Sequence, residues 1–461
     1  MDGKINNSLE KNNLIALSLA SLSITVGFGV IIPFFPLYVE EILDPIKFGF
    51  FDIGIALQVG IFTSTFMLVR FLLAPAFGDM SDISGRKPII LVGMSIYAVL
   101  MILFGFSFDF LSLLFLRGLQ GLASAAVWPV GEALIVDSSP SKNVGKNLGY
   151  YILSMQAGMG LGPFLGFILY EGYNKIFMVS VIQSYRLSFL SVGIFGFVAM
   201  MIVAYMVKDP KIDNSQSLFE QYKGAVHAMF NKMVKSPLYV LKTFSVTTTK
   251  NYRNRSLYTI YAAAVVNGFG NAMIFPLTAL LLFDYFFMGV GEISIMLGVI
   301  GLIALIGAPL GGWISDHSSK KVTVSISGVI RGFLGLLFGL QAGIIGILVL
   351  LTLQRFLFAI YQPAFRAMQN DYIPSEVRGK EFGIVQALFN LGSIFGPIIG
   401  GWLYDVFFMQ MIILPGGFEF LGAGVSYAAA GLLAIIAAVL IATQVTNQQD
   451  LKSEEQITSS H

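Results

Sequence analysis

The sequence predicts an all-α integral membrane protein, with twelve transmembrane helices arranged as two six-helix parallel repeats. Three observations carry this prediction: the composition, the number of long apolar segments, and an internal repeat. Of the 461 residues, 56% are hydrophobic and only 12% are charged. A chain with a mean hydropathy of +0.78 is too apolar to stay in water as a globular protein.

The apolar segments account for the number of helices. A helix crosses a bilayer with about 20 apolar residues, and twelve segments of the chain meet that length. We number them as spans 1 to 12 in chain order. They lie near residues 14–38, 53–76, 88–107, 110–136, 148–170, 186–207, 257–283, 293–314, 322–340, 344–369, 382–408 and 420–443.

The internal repeat divides the twelve spans into two halves. Polar, proline and glycine residues recur at a constant shift of 234 positions, as Asp82 and Asp316 illustrate. The same shift relates Gly78 to Gly312, Arg86 to Lys320, Lys87 to Lys321, Pro129 to Pro363, Asp137 to Asp371, Gly149 to Gly383 and Gly162-Pro163 to Gly396-Pro397. Such a repeat is typical of a two-half transporter, whose substrate site lies between the halves near the bilayer midplane.

The distribution of Lys and Arg predicts the orientation. These residues concentrate in the two tails, in the loops after spans 2, 4, 8 and 10, and in a central linker. The opposite loops hold few, with Lys47 and Lys175 as clear cases. By the positive-inside rule both termini and the linker are cytoplasmic. Both copies of the repeated basic motif then face the cytoplasm, so the halves are parallel repeats in a multi-pass protein of the plasma membrane.

These boundaries predict four parts of the chain. An N-terminal six-helix half covers 1–207, a cytoplasmic linker 208–256, a C-terminal six-helix half 257–443, and a disordered cytoplasmic tail 444–461. The apolar residues of the linker follow helical spacing and are accompanied by lysines. They indicate an amphipathic helix on the anionic inner leaflet; a solvated tether is the alternative.

The residue types also exclude several functions. The chain has no cysteine, which excludes disulfides, thiolate metal sites and cysteine nucleophiles. Its three histidines are far apart in the sequence, which disfavours a histidine metal site or a Ser-His-Asp triad. We therefore expect no enzymatic activity, no cofactor and no metal. The net charge of +2 is too small to suggest a bound nucleic acid.

Three motifs carry the functional argument. The loop after span 2 reads Gly78-Asp79-Met80-Ser81-Asp82-Ile83-Ser84-Gly85-Arg86-Lys87. In it, Asp82 can accept hydrogen bonds from a helix N-terminus. The guanidinium of Arg86 can bind a carboxylate with two hydrogen bonds, and we expect this carboxylate to be Asp137. Span 4 contains Arg117-Gly118-Leu119-Gln120-Gly121, which places an arginine inside the membrane. Span 5 contains Gly158-Met159-Gly160-Leu161-Gly162-Pro163-Phe164-Leu165-Gly166, repeated in span 11 as Gly392-Ser393-Ile394-Phe395-Gly396-Pro397-Ile398-Ile399-Gly400-Gly401.

With these motifs the chain resembles the major facilitator superfamily over almost its full length, and within it the twelve-helix drug:proton antiporters. The resemblance implies that the repeated basic motif latches the two halves in the outward-facing state. The implied latch residues are Gly78, Asp82, Arg86, Lys87, Asp137, Gly312, Asp316, Lys320 and Asp371. Since Ser319 replaces a glycine and lysine replaces arginine in the second copy, we expect the second latch to be weaker.

The glycine motifs are expected to form flat helix faces, because small residues let helix backbones approach in the membrane. The residues assigned to this packing are Gly158, Gly162, Pro163, Gly166, Gly392, Gly396, Pro397 and Gly400.

The candidate proton carrier is Glu132 in span 4. Relatives often carry an acidic residue early in span 1, where this chain has Ser23, Ile24 and Thr25. Helical spacing places Arg117, Gln120, Ser124, Trp128 and Glu132 along one stripe. We assign proton coupling to Glu132, Arg117 and Arg70. A static Arg70–Glu132 pair, and a purely structural Arg117, remain open alternatives.

The candidate substrate site combines amide, aromatic and few charged groups. In the resembled family, spans 1, 4, 7 and 10 line the cavity. The residues assigned to substrate binding are Gln120, Trp128, Gln156, Asn267, Asn271, Gln354, Arg355, Tyr361 and Gln362. Such a site suits an amphiphilic drug-like compound, although a sugar would use the same groups. Arg331 and Arg366 receive no role.

The predicted function is a proton-coupled secondary active transporter that exports small organic or drug-like compounds by rocker-switch alternating access. A sugar or metabolite importer or uniporter is the alternative within the same class, and a non-transporting membrane receptor is the alternative of another class. The expected partners are a small-molecule substrate, protons and the lipid bilayer, with the chain acting as a monomer.

Overall fold

The computed structural model describes residues 7–43, 46–48, 51–140, 143–209, 255–340, 343–373 and 378–446. The predicted amphipathic helix of the linker lies outside these residues, as does the polar tail after Thr446.

Six long helices form the N-terminal part of the described chain. Local polar residues cap two of them: Asp109 accepts a hydrogen bond from the Ser112 amide at 2.8 Å at the start of the fourth helix, and Ser180 and Gln183 form a reciprocal capping box at the start of the sixth. The helices are α1 (Asn7–Ile42), α2 (Ile55–Ser84), α3 (Arg86–Phe104), α4 (Phe110–Ser138), α5 (Val144–Glu171) and α6 (Val181–Met206).

Seven helices follow the linker. They are α7 (Arg255–Ile274), α8 (Leu277–Asp284), α9 (Val290–His317), α10 (Lys320–Leu336), α11 (Ile344–Tyr372), α12 (Arg378–Phe407) and α13 (Val425–Gln444). Because Pro276 lacks an amide hydrogen and disfavours helical backbone at the residue before it, span 7 breaks into α7 and α8. The described residues contain twelve helical segments long and apolar enough to cross a membrane, which confirms the predicted number.

Two short β-hairpins join helices on the chain. Strand β1 (Ile46–Phe48) pairs antiparallel with β2 (Phe51–Ile53) between α1 and α2. Strand β3 (Met411–Leu414) pairs with β4 (Phe418–Leu421) between α12 and α13. The turn of the second hairpin contains Gly416 and Gly417 at φ of 93° and 79°, a region that favours glycine. These strands were not predicted, because three or four residues carry too little periodic signal.

The chain divides into two compact units. The first contains the described residues of 1–44, 65–246 and 282–299, and the second those of 45–64, 247–281 and 300–461. Helices α2 and α9 therefore each contribute to both units.

Each unit has its own packed interior, and the helix pairings correspond. In the first unit α1 packs on α5, and α3 packs on α4 and α6. In the second, α7 packs on α12, and α10 packs on α11 and α13. These pairs occupy equivalent positions in the two repeats. Aromatic residues fill the interiors; Tyr38 and Tyr185 are almost fully buried in the first unit, and Phe338 stacks on Tyr427 at 3.8 Å in the second.

Candidate functional site

The first basic motif surrounds a buried arginine at the junction of α2 and α3. Arg86 Nη2 lies 2.6 Å from Asp82 Oδ1, and its Nε lies 3.0 Å from Asp137 Oδ2. Its Nη1 donates to Ser81 Oγ at 2.5 Å. The junction turns at Gly85, whose φ of 87° favours glycine. The guanidinium is thus neutralised by two carboxylates, of which the Asp137 side chain is the less exposed, at 22% against 55% for Asp82.

A third carboxylate, Asp209, completes this cluster. Its Oδ2 accepts hydrogen bonds from the amides of Arg86 and Lys87 at 2.5 and 2.9 Å, and the residue is buried. Because Gly85 has no side chain, α3 has no cap from its own sequence, and Asp209 satisfies two of its free amides. This role of Asp209 was not predicted, since the residue lies 123 positions from Arg86 in the sequence.

The second copy of the motif has fewer contacts. Lys320 Nζ lies 2.7 and 2.9 Å from the two oxygens of Asp371. Asp316 is exposed and has no ion-pair partner among the described residues. A Cβ built at Gly78 or Gly312 would meet no described atom within 4 Å, so neither glycine lies at a close contact between helices of the described residues.

Arg117 lies inside the first unit between aromatic rings. Its guanidinium carbon is 5.0 Å from the ring centre of Phe35 and 4.9 Å from that of Phe66. Its Nη1 donates to Gln120 Oε1, and Gln120 is fully buried. No described carboxylate lies within 4 Å of Arg117. The ring faces and one amide therefore stabilise this cation without neutralising it.

Arg70, Trp128 and Glu132 form a second group in the same unit. The guanidinium of Arg70 lies 4.5 Å from the ring centre of Trp128. Glu132 is exposed, and its carboxylate interacts electrostatically with both Arg70 and Tyr151. The indole nitrogen of Trp128 is buried and has no hydrogen-bond partner among the described residues. The group therefore combines an accessible carboxylate, a cation and a free donor.

The second unit contains a small, partly open cavity of about 30 Å³. Small residues of α7 and α13 form much of its wall, and its larger side chains come from α7, α10 and α11. Those side chains are Asn271, Ile274, Arg331, Gln354, Arg355 and Phe358. Three of the predicted substrate residues, Asn271, Gln354 and Arg355, therefore line one cavity.

A hydrogen-bonded network lies beside this cavity. Arg331 Nη2 donates to Asn267 Oδ1 at 2.6 Å, and Asn267 Nδ2 donates to Tyr361 Oη at 3.0 Å. Arg331 also lies over the rings of Phe358 and Tyr361, at 5.0 and 5.3 Å from their centres. Asn267 and Tyr361 thus contact the cavity-lining Arg331.

The other four predicted substrate residues do not line this cavity, and two of them, Gln120 and Trp128, belong to the first unit. Gln156 is exposed on α5, and Gln362 is half-buried on α11; neither lines the cavity. Arg331, which received no role from the sequence, does line it. The one available signal was its position inside an apolar span, which by itself marks a functional candidate.

The glycine motifs lie at close helix contacts. A Cβ at Gly162 would come within 2.4 Å of the Gly29 Cα atom, and one at Gly158 would overlap Thr25 Oγ1. In the second unit, a Cβ at Gly396 would lie 2.3 Å from the carbonyl oxygen of Phe269. Gly392 and Gly400 are equally close to carbonyl oxygens of α7, whereas Gly166 faces the Phe34 ring at 3.3 Å.

One further contact was not predicted. Asp405 near the end of α12 accepts hydrogen bonds from the amides of Ala56 and Leu57, at 3.1 and 2.8 Å, in the second unit. Its carboxylate caps the first turn of α2. The two partners are almost 350 positions apart, so no local pattern could indicate the contact.

Comparison with protein families identifies the chain. The family model described as Major Facilitator Superfamily matches residues 17–254 and 260–460. The chain belongs to the major facilitator superfamily. The resemblance stated from the motifs is therefore confirmed. The superfamily consists of transporters of small molecules, which makes this chain a transporter rather than an enzyme.

Curated relatives cover most of this superfamily member. The "Quinolone resistance protein NorA" of Staphylococcus aureus strain COL is 25% identical over 417 residues, which are 87% of this chain and 92% of that protein. An uncharacterised MFS-type transporter of Methanocaldococcus jannaschii is 24% identical over 399 residues, which are 86% of this chain and 92% of that protein.

Solved major facilitator structures share the fold. A bacterial homologue of the human lysosomal transporter Spinster, inward-facing and unoccupied, superposes with a TM-score of 0.73 at 15% identity, covering 95% of this chain and 97% of that chain. A D-xylose–proton symporter superposes with a TM-score of 0.71 at 14% identity, covering 95% and 98%. At these identities the likeness establishes the fold, namely an all-helical, multi-pass membrane protein.

Proposed function

We propose that this superfamily member is a proton-coupled secondary transporter of the plasma membrane, with both termini cytoplasmic, that exports small organic compounds. The observation that carries the proposal is the exposed carboxylate of Glu132 within a membrane-spanning helix, close to Arg70. A carboxylate at that depth is too costly to face lipid and marks a water-filled path. Protons from one side of the membrane can then reach it.

Arg70 supplies the coupling. When Glu132 is ionised, the attraction between the two charges favours one arrangement of α2 and α4. Protonation of Glu132 removes that attraction, while the contact between Arg70 and the ring of Trp128 persists. A substrate that approaches Trp128 can bind its free indole donor when the carboxylate is neutral. Proton binding and substrate binding thus act on the same few side chains.

Export is supported by the likeness to NorA, which is named as a quinolone resistance protein. In our proposal the Arg86 and Lys320 clusters act as latches that release when the two halves rock. The lower number of contacts at Lys320 makes the second latch the weaker one.

Proteoliposomes with an imposed pH gradient test this function. We would follow internal pH with an entrapped dye while adding ethidium, norfloxacin, xylose and lactate in turn. Proton movement opposite to ethidium or norfloxacin establishes antiport with an exporter's substrate. Proton movement in the same direction as xylose or lactate would indicate symport and contradict the proposed export. Absence of any flux despite ligand binding would favour a receptor.

Variants of Glu132 separate coupling from folding. Glu132→Gln is expected to abolish proton movement and substrate accumulation, whereas the control Glu419→Gln, at an exposed position of strand β4, is expected to retain both. If Glu132 serves only as a static partner of Arg70, the double variant Arg70→Gln with Glu132→Gln would recover coupled transport. Recovery would therefore contradict the proton-carrier role.

A further inference from the structure

The cavity in the second unit holds two arginines that no described carboxylate neutralises. Arg331 is only 8% exposed, and Arg355 is partly buried beside it. Both side chains line this one cavity, and their like charges repel. Neither has a carboxylate oxygen within 4 Å among the described residues. Two neighbouring cations inside a membrane domain destabilise the protein unless an anionic group binds between them.

Their protein contacts position these cations without cancelling their charge. Arg331 lies over Phe358 and Tyr361, and Arg355 lies over Phe275 with 5.2 Å between guanidinium carbon and ring centre. Arg331 gives one hydrogen bond to Asn267. A guanidinium carries five N–H donors in a planar fork that matches a carboxylate. Most of this donor capacity is therefore available to a ligand.

A buried acceptor gives an independent indication of a ligand. Gln354, next to Arg355 on α11, is 6% exposed and lines the cavity. Its Oε1 has no hydrogen-bond partner among the described residues. An unpaired buried amide oxygen is destabilising, so an O–H or N–H donor is expected to occupy this position. The site thus presents donors for an anion and an acceptor for a neighbouring hydroxyl or amine.

We propose that this cavity binds the carboxylate of a small organic anion, with Arg331 and Arg355 as the anion-binding pair and Gln354 accepting from a hydroxyl or amine beside the carboxylate. The volume of about 30 Å³ suits that head group. It is room for about two water molecules, so the remainder of the ligand lies outside the cavity. This inference rests on the proposed transport function and specifies its substrate class.

Ligand-dependent thermal unfolding of the purified full-length protein in nanodiscs tests the site directly. The probes are acetate, mandelate, phenylacetate, neutral mandelamide and inorganic phosphate. Mandelate, which carries a hydroxyl beside its carboxylate, is expected to raise the unfolding temperature at lower concentration than mandelamide. Equal effects of mandelate and mandelamide, or no effect of any carboxylate, would overturn the proposal. Stronger stabilisation by phosphate than by mandelate would also overturn the carboxylate assignment.

Variants of the cavity residues then test which side chains bind the ligand. Arg331→Gln and Arg355→Gln should each weaken mandelate binding on the order of tenfold, the usual size for a lost charge-assisted hydrogen bond. Arg366→Gln, on the exposed side of the same helix as Arg355, is the matched control and should bind as the wild type does. Gln354→Leu should weaken mandelate more than phenylacetate, which lacks the hydroxyl. Unchanged mandelate binding in both arginine variants would contradict the proposal, and the wild-type comparison of mandelate with mandelamide remains decisive if a variant fails to fold.

The transport function is judged separately. Mandelate binding without proton movement in proteoliposomes would contradict the proposed coupling and leave the anion site intact. Proton-coupled flux of ethidium in a protein that binds no carboxylate would support the proposed coupling and contradict the anion site.

Discussion

Arg86 and Asp137 are joined at 3.0 Å, and the residues 234 positions later, Lys320 and Asp371, are joined at 2.7 Å. In each repeat the start of one helix is tied to the end of the next by an ion pair across 51 positions. The two pairs differ in chemistry. An arginine fork can bind two carboxylates and a hydroxyl at fixed angles, whereas a lysine is a flexible point charge.

This difference predicts unequal effects of matching substitutions. Arg86→Gln leaves Asp137 and Asp82 without their shared cation, so we expect transport to fall at least tenfold while the protein still reaches the membrane. Lys320→Gln removes a single partly buried ion pair, that with Asp371, and should reduce transport only a few-fold. Initial rates of substrate flux in proteoliposomes, normalised to protein amount, measure both.

Charge-conserving and carboxylate variants serve as controls for this prediction. Arg86→Lys should retain part of the activity, and Asp82→Asn is expected to abolish transport without loss of expression. Wild-type flux in Asp82→Asn would remove the latch argument. Equal losses in Arg86→Gln and Lys320→Gln would refute the predicted asymmetry.

Asp209 is expected to stabilise the first unit through α3. Asp209→Ala removes the acceptor for the amides of Arg86 and Lys87 and should destabilise the protein by about 1–2 kcal/mol, as for other lost helix caps. Asp209→Asn keeps an acceptor oxygen and should lie between Asp209→Ala and the wild type. Thermal unfolding in detergent measures the order, and an Asp209→Ala protein as stable as the wild type would show that water replaces this cap.

The glycine motif offers a test with internal controls. Gly162→Ala places a methyl group 2.4 Å from the Gly29 Cα atom and should cost about 1–3 kcal/mol, the usual range for overpacking. Gly149→Ala, on the same helix, adds a methyl where nothing described lies within 4 Å. The stability of the Gly149→Ala protein should therefore equal that of the wild type.

The internal repeat allows the same test in the second half of the chain. Gly396→Ala and Gly383→Ala are the equivalents 234 positions later, and a Cβ at Gly383 again meets nothing described within 4 Å. Loss of stability in the open-space variants comparable to that in the crowded ones would contradict the packing argument.

Asp109 predicts a dependence of stability on pH. The Ser112 amide donates to this exposed carboxylate at 2.8 Å, and hydrogen bonding from Ser112 holds the Asp109 pKa below the ordinary 3.8. A folded-state pKa below the unfolded one stabilises the protein above pH 3.8, and this contribution disappears as pH falls through the folded pKa. Asp109→Asn retains a capping oxygen but does not titrate. We expect the unfolding temperature of the wild type, relative to this variant, to fall below about pH 4; parallel curves would contradict the assignment.

Hydropathy and the internal repeat were sufficient to predict the helical architecture. Twelve spans, their approximate bounds and the two-fold repeat were readable because the bilayer demands about 20 apolar residues in each helix. The family followed from short motifs whose residues are adjacent on the chain. The break between α7 and α8 could also have been read, since Pro276 is a local signal.

Tertiary structure alone decided which polar groups meet. Asp209 caps α3 from 123 positions away, and Asp405 caps α2 from almost 350 away. Arg331 and Arg355 lie on different helices, and only the packing of α10 on α11 brings them to one cavity with Gln354. Sequence by itself determined the helices, since their formation depends on local hydrogen bonds and on lipid. It left open the partners of the buried charges, because these depend on the rotation of each helix about its own axis, which is set by side-chain packing between distant segments.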